Sequence, residues 1–447
     1  MTKKDRVQPV RLKGFRDYLP DLMAARLHLM DIIRREAGVS GFQVIGTPAL
    51  EYAATLLGQG GDETDKQVYR FTDHGDREVA LRFDLTVPFA RFVAEHQNDL
   101  SFPFKKLQMG DVWRGENTQK GRYREFCQCD LDIIGADSAA ADIEILATFQ
   151  RILTSMNCGG FTQAVGHRRV LSAVIRKLLG DIGEGGETSA LIAIDKLAKI
   201  GRDGVVKLLA AISGADAEGA ETLVSLLLAK DSAGDTDLRA IAELLAGDEL
   251  ATREIDRLNK VLNAVRHVSP KGAGKVRFDL SVARGLGYYT GIVFETTLDE
   301  APGIGSISSG GRYNDLAGRF TSRELPGVGG SIGLDRLLAA LEETGKLNSE
   351  TKRPVFVAVA SDDGLEYACE IAATLRAAGV ATDLGMVPKL ANQFKHADRL
   401  GSPFTVTVGG SEAASKTYAL KNMTTGEEQK ALPLAGLVST VKGALAQ

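Results

Sequence analysis

Residues 113–132, WRGENTQKGRYREFCQCDLD, are the most informative stretch of the chain. In this stretch, a basic loop runs directly into a strand with polar groups on one face. Side chains alternate across a strand. One side is therefore predicted to carry the polar residues Gln128, Asp130 and Asp132. The other side is predicted to be buried and carries Cys127, Cys129, Leu131 and Ile133. A strand with two such faces indicates a ligand site on its polar side.

The loop that leads into this strand carries an excess of positive charge. Between residues 114 and 124 it has one acid, Glu116, and four basic residues, Arg114, Lys120, Arg122 and Arg124. Arginine can bind phosphate or carboxylate through two parallel hydrogen bonds, so the loop suits a polyanion next to a small polar or cationic ligand. The alternative is an ordinary hairpin with a solvated charged tip, and this segment alone leaves both interpretations open.

The composition is that of a globular protein. A chain of 447 residues, 44% hydrophobic and 25% charged, has the length of about two to four domains. The net charge of -4 gives no basic field over the whole protein, so a nucleic acid would be bound by local patches. The sequence has no long apolar run and no signal-peptide core. We therefore expect a cytoplasmic protein that does not contact a membrane.

The cysteines and histidines do not indicate a structural metal. Four cysteines are too few and too scattered for a disulfide scaffold. Cys127 and Cys129 are separated by one residue, whereas common zinc ligand pairs have two residues between them. The six histidines form no close pair. We expect no metal-ligating side chains.

Periodicity and composition divide the chain into four segments. Residues 1–167 mix helix and strand patterns. Residues 168–268 are rich in Leu and Ala and contain no Phe, Tyr or Trp, which is typical of a small all-helical insertion. Strands return in residues 269–345 and end in the helix GLDRLLAALEE. In residues 353–447, short apolar strands alternate with helices, which predicts a separate, parallel-rich α/β domain.

Two further segments place an arginine close to glycines. In ARGLGYYTGIVFE, Arg284 precedes two glycines and the pair Tyr288 and Tyr289, directly before a strand. Glycine permits close approach of the backbone to a ligand. In GVGGSIGLDRLLAALEE, Arg336 lies in the first turn of a helix, where a surface ion pair is the alternative interpretation. No Gly-Lys-Ser/Thr follows these glycines, so the segment is not a P-loop.

Together these segments resemble the histidyl-tRNA synthetases, a family of class II aminoacyl-tRNA synthetases. The matching segments are LRFDLTVPFAR, the motif 2 block WRGENTQKGRYREFCQCDLD, the histidine block ARGLGYYTGIVFE, the motif 3 block GVGGSIGLDRL, and KLANQFKHADRLGSPFTVTVGG with KNMTTGE. The resemblance implies an α+β fold: a class II antiparallel sheet flanked by helices, a helical insertion and a C-terminal α/β anticodon-binding domain. It places the catalytic domain in residues 1–167 and 269–345. It also implies a homodimer formed partly through motif 1, around Pro48.

The resemblance implies ATP-dependent attachment of histidine to tRNA(His). The histidine carboxylate attacks the α-phosphorus of ATP and releases pyrophosphate; a terminal ribose hydroxyl of the tRNA then takes the histidyl group and releases AMP. Positive charge placed at the phosphoryl oxygens lowers the barrier. By this resemblance, Arg114 and Arg284 are catalytic, and Mg²⁺ accompanies the ATP.

Individual roles follow from the same resemblance. The expected ATP-binding residues are Arg114, Glu116, Arg284 and Arg336. The expected histidine-binding residues are Asp84, Thr86, Arg114, Gln128, Asp132, Arg284, Tyr288 and Tyr289. Of these, Asp84, Gln128 and Thr86 match positions for the α-amino group. Asp132 and Tyr289 match positions that face the imidazole, whose two ring nitrogens a carboxylate and a phenol can satisfy.

The sequence departs from the family at Gly287, where members usually carry an acidic residue.

Two alternatives to the enzyme are open. A catalytically silent relative that binds histidine and regulates ATP phosphoribosyltransferase shares the catalytic fold but generally lacks the C-terminal module. A general RNA-binding protein would leave Asp132 and the two tyrosines unexplained. The C-terminal module and the intact arginines favour the enzyme.

Overall fold

The computed structural model describes residues 7–58, 65–283, 289–314, 316–347 and 353–446. The chain divides into two compact units, residues 1–349 and 350–447. The strands of the first unit are β1 (Gln43–Val44), β2 (Leu50–Tyr52), β3 (Arg70–Thr72), β4 (Glu78–Leu81), β5 (Phe104–Trp113), β6 (Glu125–Ile134), β7 (Phe161–His167), β8 (Lys275–Phe278), β9 (Ile292–Leu298), β10 (Ser308–Tyr313) and β11 (Gly327–Gly333). Its helices are α1 (Pro20–Val39), α2 (Ala53–Leu56), α3 (Thr86–Glu95), α4 (Ala139–Ser155), α5 (Arg168–Leu179), α6 (Gly183–Asp195), α7 (Leu197–Ala210), α8 (Ala217–Leu228), α9 (Leu238–Leu244), α10 (Glu249–Val268) and α11 (Leu334–Glu343).

An eight-stranded sheet in the order β1-β5-β6-β11-β10-β9-β7-β8 forms the centre of the first unit. The six inner strands, in the order β5-β6-β11-β10-β9-β7, all pair antiparallel. This pairing confirms the predicted class of sheet. The edge strands β1 and β8 pair parallel with their neighbours. A parallel pair needs a long crossover connection, and helices α5 to α10 supply it between β7 and β8. A second, antiparallel sheet has the order β2-β4-β3.

The core lies on the side of the large sheet that faces α1 and α4. The buried side chains of β6 belong to one apolar cluster with Leu29 and Ile33 of α1 and with Ile145 and Phe149 of α4. The buried residues of α1 therefore form an apolar stripe that faces the sheet. Pro20 occupies the first turn of this helix, after Leu19.

Residues 168–268 form six helices with no strand among them. Three of these helices, α8, α9 and α10, begin at an Asp whose side chain accepts hydrogen bonds from free backbone N–H groups: Asp216, Asp237 and Asp248. Their apolar residues, such as Leu223 and Leu258, belong to the same buried cluster as the large sheet. Their separate status as an inserted domain stays a prediction.

The second unit contains a five-stranded sheet with its own apolar core. Its strands are β12 (Val355–Val359), β13 (Thr382–Leu384), β14 (Phe404–Val408), β15 (Thr417–Asn422) and β16 (Glu428–Pro433), and its helices are α12 (Leu365–Ala377), α13 (Leu390–Leu400), α14 (Gly410–Ser415) and α15 (Leu437–Leu445). In the order β13-β12-β14-β15-β16, the first three strands are parallel, as predicted. The hairpin β15-β16 adds antiparallel strands that the helix–strand alternation did not predict.

Within the described ranges, we find no helix that combines the length and the apolar character needed to cross a bilayer.

Candidate active site

A cavity of about 300 Å³ lies on the polar side of strand β6. Gln128, Asp130 and Asp132 line it, while Cys127 and Cys129 are buried on the opposite side in the apolar core. The alternation predicted for this strand is therefore confirmed. Strand β11 pairs with β6 and contributes three glycines and Ser331 to the cavity wall.

Most of the predicted site residues line this one cavity. Those that do are Asp84, Thr86, Arg114, Glu116, Gln128, Asp132, Tyr289 and Arg336. They come from segments up to 252 positions apart in sequence (336 minus 84), and the sheet brings them together. Arg284, Gly287 and Tyr288 lie outside the described residues, so the expectations for them stay predictions.

Arg114 is stacked between two aromatic rings. Its guanidinium carbon lies 4.3 Å from the ring centre of Phe83 and 5.1 Å from that of Phe126. Its Nε donates to the backbone oxygen of Phe83 at 3.0 Å. Cation–π contacts on both faces restrict the plane of a guanidinium, which fixes the direction of its remaining N–H donors. Arg114 is therefore a preorganised cation in the cavity wall.

The start of helix α11 is fixed against the site. Arg336 lines the cavity and donates from Nη1 to the backbone oxygen of Ser306 at 2.8 Å. Its neighbour Asp335 is buried and accepts a hydrogen bond from the hydroxyl of Tyr18 and another from the backbone N–H of Cys127, at 2.7 Å. These bonds join α11, the N-terminal segment and β6 into one arrangement.

The charged loop between β5 and β6 belongs to a hairpin, and it also takes part in the cavity. Glu116 and Arg122 both line the cavity and form an ion pair at 3.4 Å. At the base of the loop, the backbone N–H of Arg124 donates to the oxygen of Gly14 at 2.8 Å. The segment is thus a hairpin whose loop lines the cavity; binding of a polyanion by this loop stays a prediction.

Asp132 lies at the buried end of the cavity, with a protein partner on each carboxylate oxygen. Lys106 pairs with Oδ2 at 2.8 Å, and the two side chains are 0% and 3% exposed. The hydroxyl of Tyr313 donates to Oδ1 at 2.6 Å. A Cβ added to Gly329 would overlap Oδ1, so only glycine leaves room for this carboxylate.

Lys106 and Tyr313 are site residues that were not predicted from the sequence. Tyr313 lines the cavity, and its burial, followed by the charge of Asp132, raises the pKa of its phenol well above the usual range. The sequence contains a weak signal for Lys106: Lys105 and Lys106 are adjacent in the strand FKKLQM, so alternation places one of them on each side of the sheet. Only the pairing of β5 with β6, which sets Lys106 opposite Asp132, identifies the partner.

The cavity wall also carries groups from outside the large sheet. Asp84 precedes α3 and accepts from the backbone N–H of Val87 at 3.0 Å, and burial raises the pKa of its carboxyl. Thr86 begins α3. The ring of Tyr289 packs on Gly311, where a Cβ would come within 2.8 Å of the ring.

Asp130 is a site residue to which the sequence analysis gave no role. It lines the cavity between Gln128 and Asp132 and is 2% exposed. Burial raises the pKa of its carboxyl to about 7; the nearby charge of Lys106 opposes this rise and that of Asp132 adds to it. Among the described residues, its Oδ1 has no hydrogen-bond partner, and neither does Oε1 of Gln128.

Metal-ligating groups are not clustered in the part of the chain that the structure describes: no group of three or more His, Cys, Asp or Glu is placed to hold an ion. All four cysteines are free.

Comparisons with known proteins agree along nearly the whole chain. A family model described as Histidyl-tRNA synthetase matches residues 14–337, and one described as Anticodon binding domain matches residues 354–444. The chain is 42% identical to a Histidine--tRNA ligase of Rhodopirellula baltica, over 95% of each chain. It is 37% identical to that of Wolinella succinogenes, over 99% of this chain and 100% of the relative.

The solved structures agree with the sequence comparisons. The crystal structure of histidyl-tRNA synthetase from Nostoc sp. PCC 7120 superposes with a TM-score of 0.85 at 33% identity, covering 98% of this chain and 100% of that one. Fold, cavity and sequence similarity thus converge on one assignment: the chain belongs to the histidyl-tRNA synthetase family.

Proposed function

We propose that this protein attaches histidine to its cognate tRNA in an ATP-dependent reaction with a histidyl-adenylate intermediate. The observation that carries the proposal is the polarity of this cavity. Arg114 and Arg336 line it together with the carboxylates of Asp84, Asp130 and Asp132. One cavity thus offers fixed cations for phosphate and anions for an amino acid that carries an ammonium group and an imidazole.

The proposed roles follow from this division. Arg114, with its plane fixed by two rings, contacts the α-phosphate and the histidine carboxylate, and Arg336 contacts the nucleotide. Glu116 lies at the ATP end. Asp84, Thr86 and Gln128 receive the α-ammonium group, and Asp132 and Tyr289 face the imidazole. Arg284 and Tyr288 have roles proposed from the sequence alone.

The chemistry requires no side-chain nucleophile. A carboxylate oxygen of histidine attacks the α-phosphorus of ATP, the bond to the β-phosphate oxygen breaks, and pyrophosphate leaves. A terminal ribose hydroxyl of the tRNA then attacks the adenylate carbonyl, and AMP leaves. The protein lowers the barriers by aligning the reactants and by placing positive charge where the phosphoryl oxygens become more negative. Mg²⁺ is proposed to arrive bound to the ATP phosphates.

Further features of the proposal concern location, assembly and domains. The protein is proposed to be cytoplasmic and to act as a homodimer through the region around Pro48. Exposed apolar side chains on the small sheet support this assembly: Tyr52 is 58% exposed and Phe71 is 49% exposed. The proposed domain boundaries are 1–167 with 269–345 for catalysis, 168–268 for the insertion and 353–447 for anticodon binding.

The test is exchange of labelled pyrophosphate into ATP, followed by charging of tRNA(His). We expect exchange that requires histidine and is not supported by other amino acids. A regulator that binds histidine, or a plain RNA-binding protein, would bind its ligand without any exchange. Absence of histidine-dependent exchange in the folded protein would therefore contradict the proposed function.

A further inference from the structure

Two neighbouring acceptor oxygens in the cavity have no partner within the described part of the chain. Gln128 and Asp130 are two positions apart on β6, so their side chains lie on the same side of the strand. The Nε2 of Gln128 donates to Oγ of Ser331 at 3.1 Å, which turns its Oε1 away from that partner. Ser331 lies directly opposite Asp130 on the paired strand β11. This leaves Oε1 of Gln128 and Oδ1 of Asp130 as unpaired acceptors side by side.

An unpaired carboxylate oxygen at this depth is costly without a ligand. Asp130 is 2% exposed, and a buried acceptor with no donor loses its solvation without compensation, at a greater cost when it is charged. The neighbouring Asp132 differs, because Lys106 and Tyr313 already donate to its two oxygens. The acceptor at this end of the cavity that most lacks a donor is therefore Asp130.

We propose that Asp130 contacts the substrate directly and determines specificity, its Oδ1 accepting a hydrogen bond from an N–H group of bound histidine. This inference rests on the proposed function and adds to it a residue outside the set identified from sequence. The donor is a nitrogen of the amino acid, either the α-ammonium group or the imidazole. Gln128 shares the contact through its free Oε1, and Ser331 orients both side chains.

The charges around Asp130 fit a cationic ligand. The groups that face it are Lys106 from β5, Asp132 on its own strand, Tyr313 from β10 and Asp84 from the segment before α3. Three carboxyls against one ammonium leave an excess of negative charge when all are ionised. A ligand that brings positive charge into this group replaces the missing donor and offsets the repulsion.

The experiment compares Asp130→Asn with the unchanged protein by calorimetric titration of histidine and, separately, of ATP. The substitution preserves shape and removes the negative charge. A charged hydrogen bond exceeds a neutral one by about 1.4 kcal/mol, so we expect the Kd for histidine at pH 8 to rise about ten-fold. The Kd for ATP is expected to stay within about two-fold. The matched control is Glu144→Gln. Glu144 lies on α4 and forms a partly exposed ion pair with Lys105 of β5, so this substitution is expected to leave both constants unchanged.

Two further measurements separate a substrate contact from a structural role. The ratio of the two histidine Kd values, variant over unchanged protein, should fall towards one between pH 8 and pH 6, because Asp130 itself takes up a proton near pH 7. The ratio cancels the titration of free histidine. The ligand-free variant should melt at the same or a higher temperature at pH 8, since a repelled buried charge has been removed.

An analogue without the α-amine, imidazolepropionate, identifies the nitrogen. If the variant weakens both ligands, the donor is the imidazole; if it weakens histidine alone, the donor is the ammonium group. An unchanged histidine Kd in a variant that still exchanges pyrophosphate overturns this inference and leaves the proposed function intact. A lower melting temperature with weaker ATP binding overturns it as well. Absence of exchange in the unchanged protein instead contradicts the proposed function.

Discussion

At the residue scale, the site depends on charges whose geometry is fixed by their neighbours. Arg114 is held between Phe83 and Phe126, and Asp132 between Lys106 and Tyr313. Preorganised charges of this kind stabilise a transition state without a reorganisation cost at the moment of reaction. Substitutions at Arg114 and at Lys106, the partner of Asp132, test these two arrangements.

Arg114→Lys retains the positive charge but loses the planar group that stacks between the rings. A lysine ammonium offers no bidentate fork and is more strongly hydrated, so it holds the phosphoryl oxygens less firmly. We expect the rate of histidine-dependent pyrophosphate exchange to fall about a hundred-fold or more. The control is Arg151→Lys on α4, which pairs with Glu36 away from the cavity. Exchange within a few-fold of normal would remove Arg114 from the catalytic role.

Lys106→Met tests the buried ion pair. Removal of one partner leaves Asp132 charged and desolvated, which typically costs about 3–5 kcal/mol. We expect a loss of this size in the free energy of unfolding, measured by urea denaturation, and partial recovery in the double variant Lys106→Met with Asp132→Asn. The adjacent Lys105 is 33% exposed and pairs with Glu144, so Lys105→Met should cost less than about 1 kcal/mol. Equal costs at the two positions would contradict the prediction.

At the element scale, strand β11 acts through the absence of side chains. Its glycines face groups from other strands: an added Cβ at Gly329 would overlap Asp132 of β6, and one at Gly330 would lie 2.6 Å from the ring of Phe294 of β9. The strand therefore approaches β6 closely enough for the carboxylates of β6 to lie in the cavity wall. The glycines in the sequence of β11 are compatible with close contacts, and the structure identifies Asp132 and Phe294 as the side chains that make them.

Gly329→Ala is the corresponding prediction. The methyl group requires the Asp132 carboxylate to move, which weakens its bonds to Lys106 and Tyr313. We expect a lower free energy of unfolding, by about 1–3 kcal/mol, and a higher KM for histidine. Gly318 has no atom within 4 Å of an added Cβ, so Gly318→Ala is the matched control for stability. If both variants unfold alike, the close approach has no energetic consequence.

At the scale of the whole molecule, the two compact units have separate apolar cores. The core of residues 350–447 includes Val355, Ile371 and Val406 and is distinct from the cluster under the large sheet. The described residues that line the cavity all lie in the first unit. This division indicates that adenylate chemistry and tRNA recognition can be separated.

A variant that ends at residue 349 tests this separation. We expect histidine-dependent pyrophosphate exchange within about two-fold of the full chain, because the cavity is retained. Charging of tRNA(His) should fall more than about ten-fold, since each 1.4 kcal/mol of lost tRNA contact lowers affinity by that factor. Both activities are measured on the same preparation, with circular dichroism as the control for folding. Loss of exchange in a folded variant, or normal charging, would contradict the prediction.

The class of sheet followed from the family resemblance, whereas the sequence predicted the polar face of β6 and the position of Arg336 at the start of a helix from local patterns. These features depend on local rules, the alternation of side chains along a strand and the periodicity of helices, which are read from neighbouring residues. It also indicated which side chains belong to a ligand site, because their combination and order are specific to a family.

The tertiary structure alone decided which charges meet. Lys106 and Asp132 are 26 residues apart, and Tyr313 and Asp132 are 181 apart. Their contacts depend on strand register in the folded sheet, which no local pattern specifies. Among the described residues, the same register leaves Oδ1 of Asp130 without a donor, while each oxygen of Asp132 has one. The sequence therefore determined which residues face the cavity, and only the pairing of distant strands decided which of them remain available to a ligand.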